Sequence, residues 1–195
     1  VLAVLGPQWI RVDLRGDLDH LAVLRTWPVS GLTLMSAEVC SSAIVLSALQ
    51  VTLALLGLIA LIAVPEPPLP RLLVLGLAAP AALALAMLNL IALGLQNAGA
   101  LLYPSWVRVE IRPGGVEAMG QHLLTASASI LLLLIAALGP ALVGGGLSWL
   151  LWSGVGPWAV APGLLLAAAA LGLEAFLLLD WLGGRFERLD PSDLG

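Results

Sequence analysis

The sequence predicts an all-α, polytopic membrane protein, and three observations predict it. Of 195 residues, 61% are hydrophobic and 10% charged, with a mean hydropathy of +1.06, far outside the composition of soluble globular domains. The apolar residues are collected into charge-free runs long enough to cross about 30 Å of hydrocarbon as helices. The polar residues fall into segments that alternate with those runs.

Taken in order, Val1 to Gly6 (VLAVLG) is an apolar run that stops at Pro7. It reads as the end of a truncated span. A signal peptide is not expected, because no charged n-region and no small-residue cleavage site accompanies it. Residues 7–38 form the longest polar interruption of the chain. Within it Asp17 can cap a helix at Leu18, and Pro28 disfavours helical geometry at Trp27, so a short helix of about ten residues is expected, after which Ser30 can cap a second. At about 100° per residue, Leu18, Leu21, Val23, Leu24 and Trp27 spread over an arc of roughly 220°. That is wider than the stripe of a little over about 100° that one surface requires. The helix then touches its own membrane domain on one side and a partner on the other, or it rests at the headgroups as an interfacial helix.

Residues 39–64 supply the first complete span, free of charge and long enough to cross with some tilt. The PEPPLP run at 65–70 stops it, since prolines this dense cannot continue a helix. Residues 71–96 are the second span, with Pro80 as an expected kink. Residues 97–122 are polar again; Val107, Val109 and Ile111 alternate with charges, but Pro113-Gly114-Gly115 ends the pattern, so an extended loop is expected. Val116 onward leads as a helix into the third span, residues 123–143. Residues 144–157 carry Trp149 and Trp152, with Trp158 following, as a short loop at headgroup level would. Residues 158–182 are the fourth span, and 183–195 a polar tail. The expected architecture is thus four complete transmembrane helices, the end of a truncated one and a short helix at the membrane surface.

All eight basic residues are Arg. Arg11, Arg15 and Arg25, then Arg108 and Arg112, then Arg185 and Arg188 fall in segments 7–38, 97–122 and 183–195, and the alternate loops hold only Arg71 at an edge. By the positive-inside rule those three segments are cytoplasmic, in a multi-pass protein of the cell's inner (plasma) membrane.

The same residues narrow the chemistry. Without Lys there is no phosphate-binding P-loop, so any ATP that drives the protein is hydrolysed elsewhere. Cys40 is the single cysteine and allows no internal disulfide. His20 and His122 have no ligand-spaced companions, so no metal is expected. The chain has no HExxH and no GxSxG, and it is read as having no enzymatic activity and no cofactor. The Arg residues are too dispersed for nucleic acid.

Four polar side chains stand at membrane depth. Glu174 is the single charge well inside a span, on the order of 10 Å from its cytoplasmic end, where an unpaired charge costs a few kcal/mol. Gly163, Ala167, Ala170 and Glu174 share one helix face within about 60°, so Glu174 should face protein, either as a gate or substrate contact or as an interhelical hydrogen bond. Asn89 shares a face with Ala82 and Ala86, Gln96 falls near it, and Gln50 is a further amide at depth. These read as hydrogen-bonding glue between helices or as the lining of a translocation path.

The string GPQWIRVDLRGDLDHLAVLRTWPVSG resembles the first cytoplasmic segment of type-2 ABC export permeases, most closely a bacterial ABC exporter family. The similarity continues through NLIALGLQNAGALLYPSW, GGVEAMGQHLL and RFERLDPSD. The resemblance implies that 7–38 holds a coupling helix, with Leu18, Leu21, Leu24 and Trp27 as anchors against an ABC ATPase subunit and Pro28 setting its end. It also implies a second permease half beside membrane lipid, and that the chain is the C-terminal portion of a longer permease. A secondary transporter with Glu174 as proton or ion site is the alternative, and a non-transporting membrane scaffold a third.

Overall fold

A computed structural model describes residues 28–65, 70–103 and 116–189, together with Gly6, Val23 and Thr26. Among the described residues the regular structure is helical throughout, with no strand. The elements are α1 (Gly31–Ala63), α2 (Arg71–Leu102), α3 (Val116–Val155), a 3₁₀ turn (Gly156–Ala159) and α4 (Val160–Arg188). Three stretches are long and apolar enough to cross a membrane: Gly31–Ala63, Arg71–Leu102 and the 63-residue Ala126–Arg188. In the most apolar window of each, no more than 17% of the residues are buried inside the protein. So much uncovered apolar surface calls for an apolar surrounding.

α1 starts at the cap expected at Ser30 and runs unbroken through residues 31–38 into the span expected at 39–64, because two acceptors serve its first turn. Ser30 Oγ accepts from the Thr33 amide at 3.2 Å, and Glu187 Oε1, at the far end of the chain, accepts from the Gly31 amide at 2.7 Å. From there Gly31, Met35, Val39, Ser42, Ala43, Leu46 and Gln50 form one buried stripe at helical spacing. α2 is longer than its expected 71–96. Its last turns are buried at Asn97, Ala98, Ala100 and Leu101, and the Asn97 side chain bonds back to the Leu93 carbonyl at 3.0 Å. Tyr103, the residue before Pro104, leaves the helix with φ −131° and ψ 64°, outside the α region that a following proline disfavours. Pro80 lies within the continuous helix.

The largest difference concerns the expected loop at 144–157. α3 runs through Pro140 and the glycine triplet 144–146 to Val155. Tertiary contact overrides the weak helix propensity of glycine here: Gly144 is seated against the backbone of Gly163, and Ser148 Oγ donates to the Gly144 carbonyl at 3.0 Å. The chain reverses only at Gly156, whose φ of 58° lies in the left-handed region that glycine enters freely. A straight helix of about 1.5 Å per residue would hold Gly139 and Glu174 roughly 50 Å apart. Instead an added Cβ on Gly139 would lie 3.7 Å from Glu174 Oε1. The four complete helices expected from the sequence are therefore found as three apolar stretches, of which the third is doubled back on itself.

Helix α4 is the centre of the packing, with α1, α2 and α3 all laid against it. Neighbouring pairs Gly76 and Trp158, Met87 and Gly172, and Gly94 and Leu178 ascend together, so α2 and α4 run parallel. Gly31 beside Gly183, and Gly144 beside Gly163, make α1 and α3 antiparallel to α4. The main core joins Met35 and Val39 of α1, Leu93 and Leu101 of α2, and Leu182 and Phe186 of α4. A smaller one joins Ile91, Leu133 and Leu171 across α2, α3 and α4. The main core lies toward the end where α1 begins and α4 finishes, and the smaller one near mid-height.

A Cβ on Gly183 would fall 2.5 Å from the Leu32 nitrogen, whereas one on Gly146 would meet nothing within 4 Å. Gly183→Leu is expected to lose on the order of 1–3 kcal/mol through overpacking, and Gly146→Ala to gain a few tenths to about 1 kcal/mol from helix propensity. Thermal unfolding in detergent followed by circular dichroism checks both; equal melting temperatures for the two variants would refute the crossing.

Candidate functional site

Between α1 and α2 lies a knot of neutral polar groups. Asn89, fully buried, donates through Nδ2 to Gln50 Oε1 at 2.7 Å and to Ser47 Oγ at 2.9 Å. Gln50 Nε2 donates back to Asn89 Oδ1 at 3.4 Å. Gln50 and Asn89 are each on the inward stripe of a helix, and α1 and α2 run antiparallel, so their side chains meet head to head. Gly6 is also buried there: a Cβ on it would lie 2.9 Å from Leu46 Cδ1 and 3.4 Å from Gln50 Nε2. A side chain at position 6 would crowd this knot.

Glu174 lies on the other side of α4, against α3. Gly163 and Ala167 of its stripe pack on Gly144, and its own Oε1 faces Gly139. Its Oε2 is buried with no hydrogen-bond partner among the described residues. Next to Gly139, Pro140 has no N–H to give to the carbonyl of Ala136, so one backbone acceptor of α3 is released nearby along the helix. Because Met87 stands beside Gly172 on the parallel helices α2 and α4, Asn89 and Glu174 are at one height, the first turned toward α1 and the second toward α3. Gln96 and Asn97 are buried about two turns further along α2.

This constellation holds hydrogen-bond donors and acceptors and one carboxyl at a single depth. It can bind polar groups or order helices. Among the described residues no group of His, Cys, Asp or Glu is arranged to hold a metal ion.

Leu18, Leu21, Leu24 and Trp27 lie outside the described residues. Pro28 is described and exposed. Just before it, Thr26 closes a turn on Val23, its amide at 3.0 Å and its hydroxyl at 2.7 Å from the Val23 carbonyl, and Val23 is 57% exposed. Of the four intramembrane polar residues, the structure brings Gln50 and Asn89 together and leaves Glu174 at a separate interface. Three participants escape a reading of the sequence. Ser47 stands one turn before Gln50, a spacing that could have revealed it; Asn97 adjoins Gln96; and the bond from Gly31 to Glu187 spans the whole chain and has no local signal.

Compared with protein-family models, with curated proteins and with solved structures, the chain has no significant match.

Interhelical hydrogen bonds in membranes average about 0.6 kcal/mol and reach about 1.7. A double-mutant cycle of Gln50→Leu and Asn89→Leu, measured by reversible unfolding in mixed micelles, is expected to give a coupling in that range. Additive single effects would mean that the amides do not act as a pair.

Proposed function

We propose that this chain is the membrane-spanning permease subunit of an ABC-type exporter, multi-pass in the inner (plasma) membrane, which couples ATP hydrolysis in a separate ATPase subunit to export. The observation that carries a transport reading is the set of polar side chains, Gln50, Asn89 and Glu174, collected at one depth inside a bundle whose outer surface is apolar. A purely structural membrane bundle gains little from such groups, because each interhelical hydrogen bond is worth about 1 kcal/mol or less. The ATP-coupled form of the reading rests on the resemblance of residues 7–38 to a coupling segment.

In this reading each leg of the doubled-back stretch crosses the membrane, which makes four crossings with α1, α2, α3 and α4 alternating in direction. The cytoplasmic end carries Ser30, Gly31, Arg185 and Arg188, and Trp149, Trp152 and Trp158 mark the opposite interface. The ATPase docks at the Leu18–Trp27 segment, which leads through Pro28 and Ser30 into α1. A displacement there is passed to α4 through the contact of Gly31 with Gly183 and the bond to Glu187. A second permease half completes the transporter.

Leu21→Asp or Leu24→Asp is expected to release the ATPase or uncouple it, since each buried apolar anchor contributes on the order of 1.5–3 kcal/mol. Asp19→Ala, a rim charge, changes affinity by less than about 1 kcal/mol. Co-purification of the ATPase and transport in vesicles measure this, and wild-type behaviour of both Leu→Asp variants would remove the coupling role.

The unpartnered Oε2 of Glu174 favours one second reading, a secondary transporter with this carboxyl as its ion or proton site. Glu174→Gln keeps the shape and a hydrogen-bonding group while removing the charge. Export activity is expected to persist in Glu174→Gln and to fall in Glu174→Leu; loss of transport in the Gln variant at unchanged expression would transfer the function to the proton-coupled class.

A further inference from the structure

Beyond the level of Gln50 and Asn89, α1 and α2 separate. The gap between them is a lateral cleft of about 400 Å³ lined only by aliphatic residues and glycine, among them Ala54, Leu58 and Leu61 of α1 and Val74, Ala78 and Leu85 of α2. It is bounded at one end by the amide knot and at the other by Arg71, whose Nη2 donates to the Val64 carbonyl at 3.0 Å across the connection between the two helices.

We infer that this cleft is a binding site for a bilayer phospholipid, with one acyl chain between α1 and α2 and the headgroup phosphate on Arg71. The inference rests on the membrane reading of the chain and not on the exporter reading. Length is the first argument: Val74 to Leu85 is about 16 Å of helix at 1.5 Å per residue, the depth of one leaflet of a hydrocarbon core about 30 Å thick. Chemistry is the second. The walls are aliphatic over nearly all of their surface, so the occupant is apolar over that whole length.

Charge is the third argument. Arg71 is exposed and tethered by one nitrogen, and its guanidinium has further donors in the fork geometry that suits phosphate. Recognition is of the phosphate that every phospholipid carries.

The test uses the full chain purified in detergent, incubated with phosphatidylethanolamine or with diacylglycerol of the same acyl chains, and read by native mass spectrometry. The wild type is expected to retain phosphatidylethanolamine, and severalfold less diacylglycerol. Ala54→Phe and Ala78→Phe, which fill the cleft, should lose bound lipid severalfold, while Ile44→Phe, on an open face of α1, should not. Arg71→Gln should abolish the preference for the phospholipid.

Ala54→Leu is a smaller filling that keeps the test open should either Phe variant fail to fold. Retention of lipid by the folded cleft-filling variants, equal retention of the two lipids by the wild type, or a change from dimer to monomer on filling the cleft would each overturn the site, the last in favour of a second copy as occupant. Extraction of the native membranes at alkaline pH separates the two levels of claim. A chain released from the membrane refutes the membrane reading, and a chain that stays there without lipid in the cleft refutes this inference alone.

Discussion

Two backbone crossings hold this protein together, and glycine makes both possible. At one end of α4, Gly183 meets Gly31; at the other, Gly163 meets Gly144. In each case a Cβ on either partner would fall against backbone atoms of the other helix, so any larger residue would force the helices apart. Surrounded by lipid, helices gain little from hiding apolar side chains from one another, and association depends on close packing and hydrogen bonds. Removing the Cβ at the crossing lets van der Waals contact run from backbone to backbone. With α4 pinned in this way at both ends, the remaining contacts, Met87 on Gly172 and Leu178 on Gly94, set α2 alongside it.

The consequence is a bundle with a tight end and a loose one. Where α1 begins and α4 finishes, Met35, Leu93, Leu101, Leu182 and Phe186 are closed together, and the polar termini are joined by the bond from Gly31 to Glu187. Toward the connection between α1 and α2 the partners thin out, and residues such as Leu53, Leu56 and Ile59 turn outward. The knot of Gln50, Asn89 and Ser47 stands at the border between these regimes. Its position has a physical reason: amide side chains at membrane depth need partners, and the last level at which α1 and α2 are close enough to provide them is the level just before they diverge.

Much of the fold could be read from the residues, and the parts that could not share a cause. Charge-free runs locate the apolar stretches because hydrocarbon thickness sets their length, and Ser30 announces the start of α1 because a cap is a local interaction. The ends of α2 and α3 lie beyond the positions that the residues suggest, for the opposite reason. Asn97 looks like the start of a polar loop, yet it folds its amide onto its own helix; Gly144-Gly145-Gly146 looks like a turn, yet Gly144 is held helical by Gly163, which lies across the hairpin. Composition marks these positions as breaks, and only a distant partner keeps them helical. In the candidate site, Gln50 and Asn89 are visible as amides in apolar runs, while their pairing with each other and with Ser47 depends on the angle at which α1 leans on α2.

The same distribution of contacts decides which motion is cheapest. Separating α1 or α3 from α4 forfeits a backbone crossing along with the side chains packed around it, Met35, Val39, Leu182 and Phe186 in the case of α1. Parting α1 from α2 at the amide knot costs about 0.6 kcal/mol for each hydrogen bond on average, and the freed amides can bond to water or to a polar substrate. The cleft beyond the knot means that little apolar contact has to be broken on that side. The contact of α1 with α2 beyond the knot is therefore easier to part than the crossing of Gly31 with Gly183. In the exporter reading proposed above, a displacement delivered to the start of α1 acts first on this crossing and on the bond from Gly31 to Glu187.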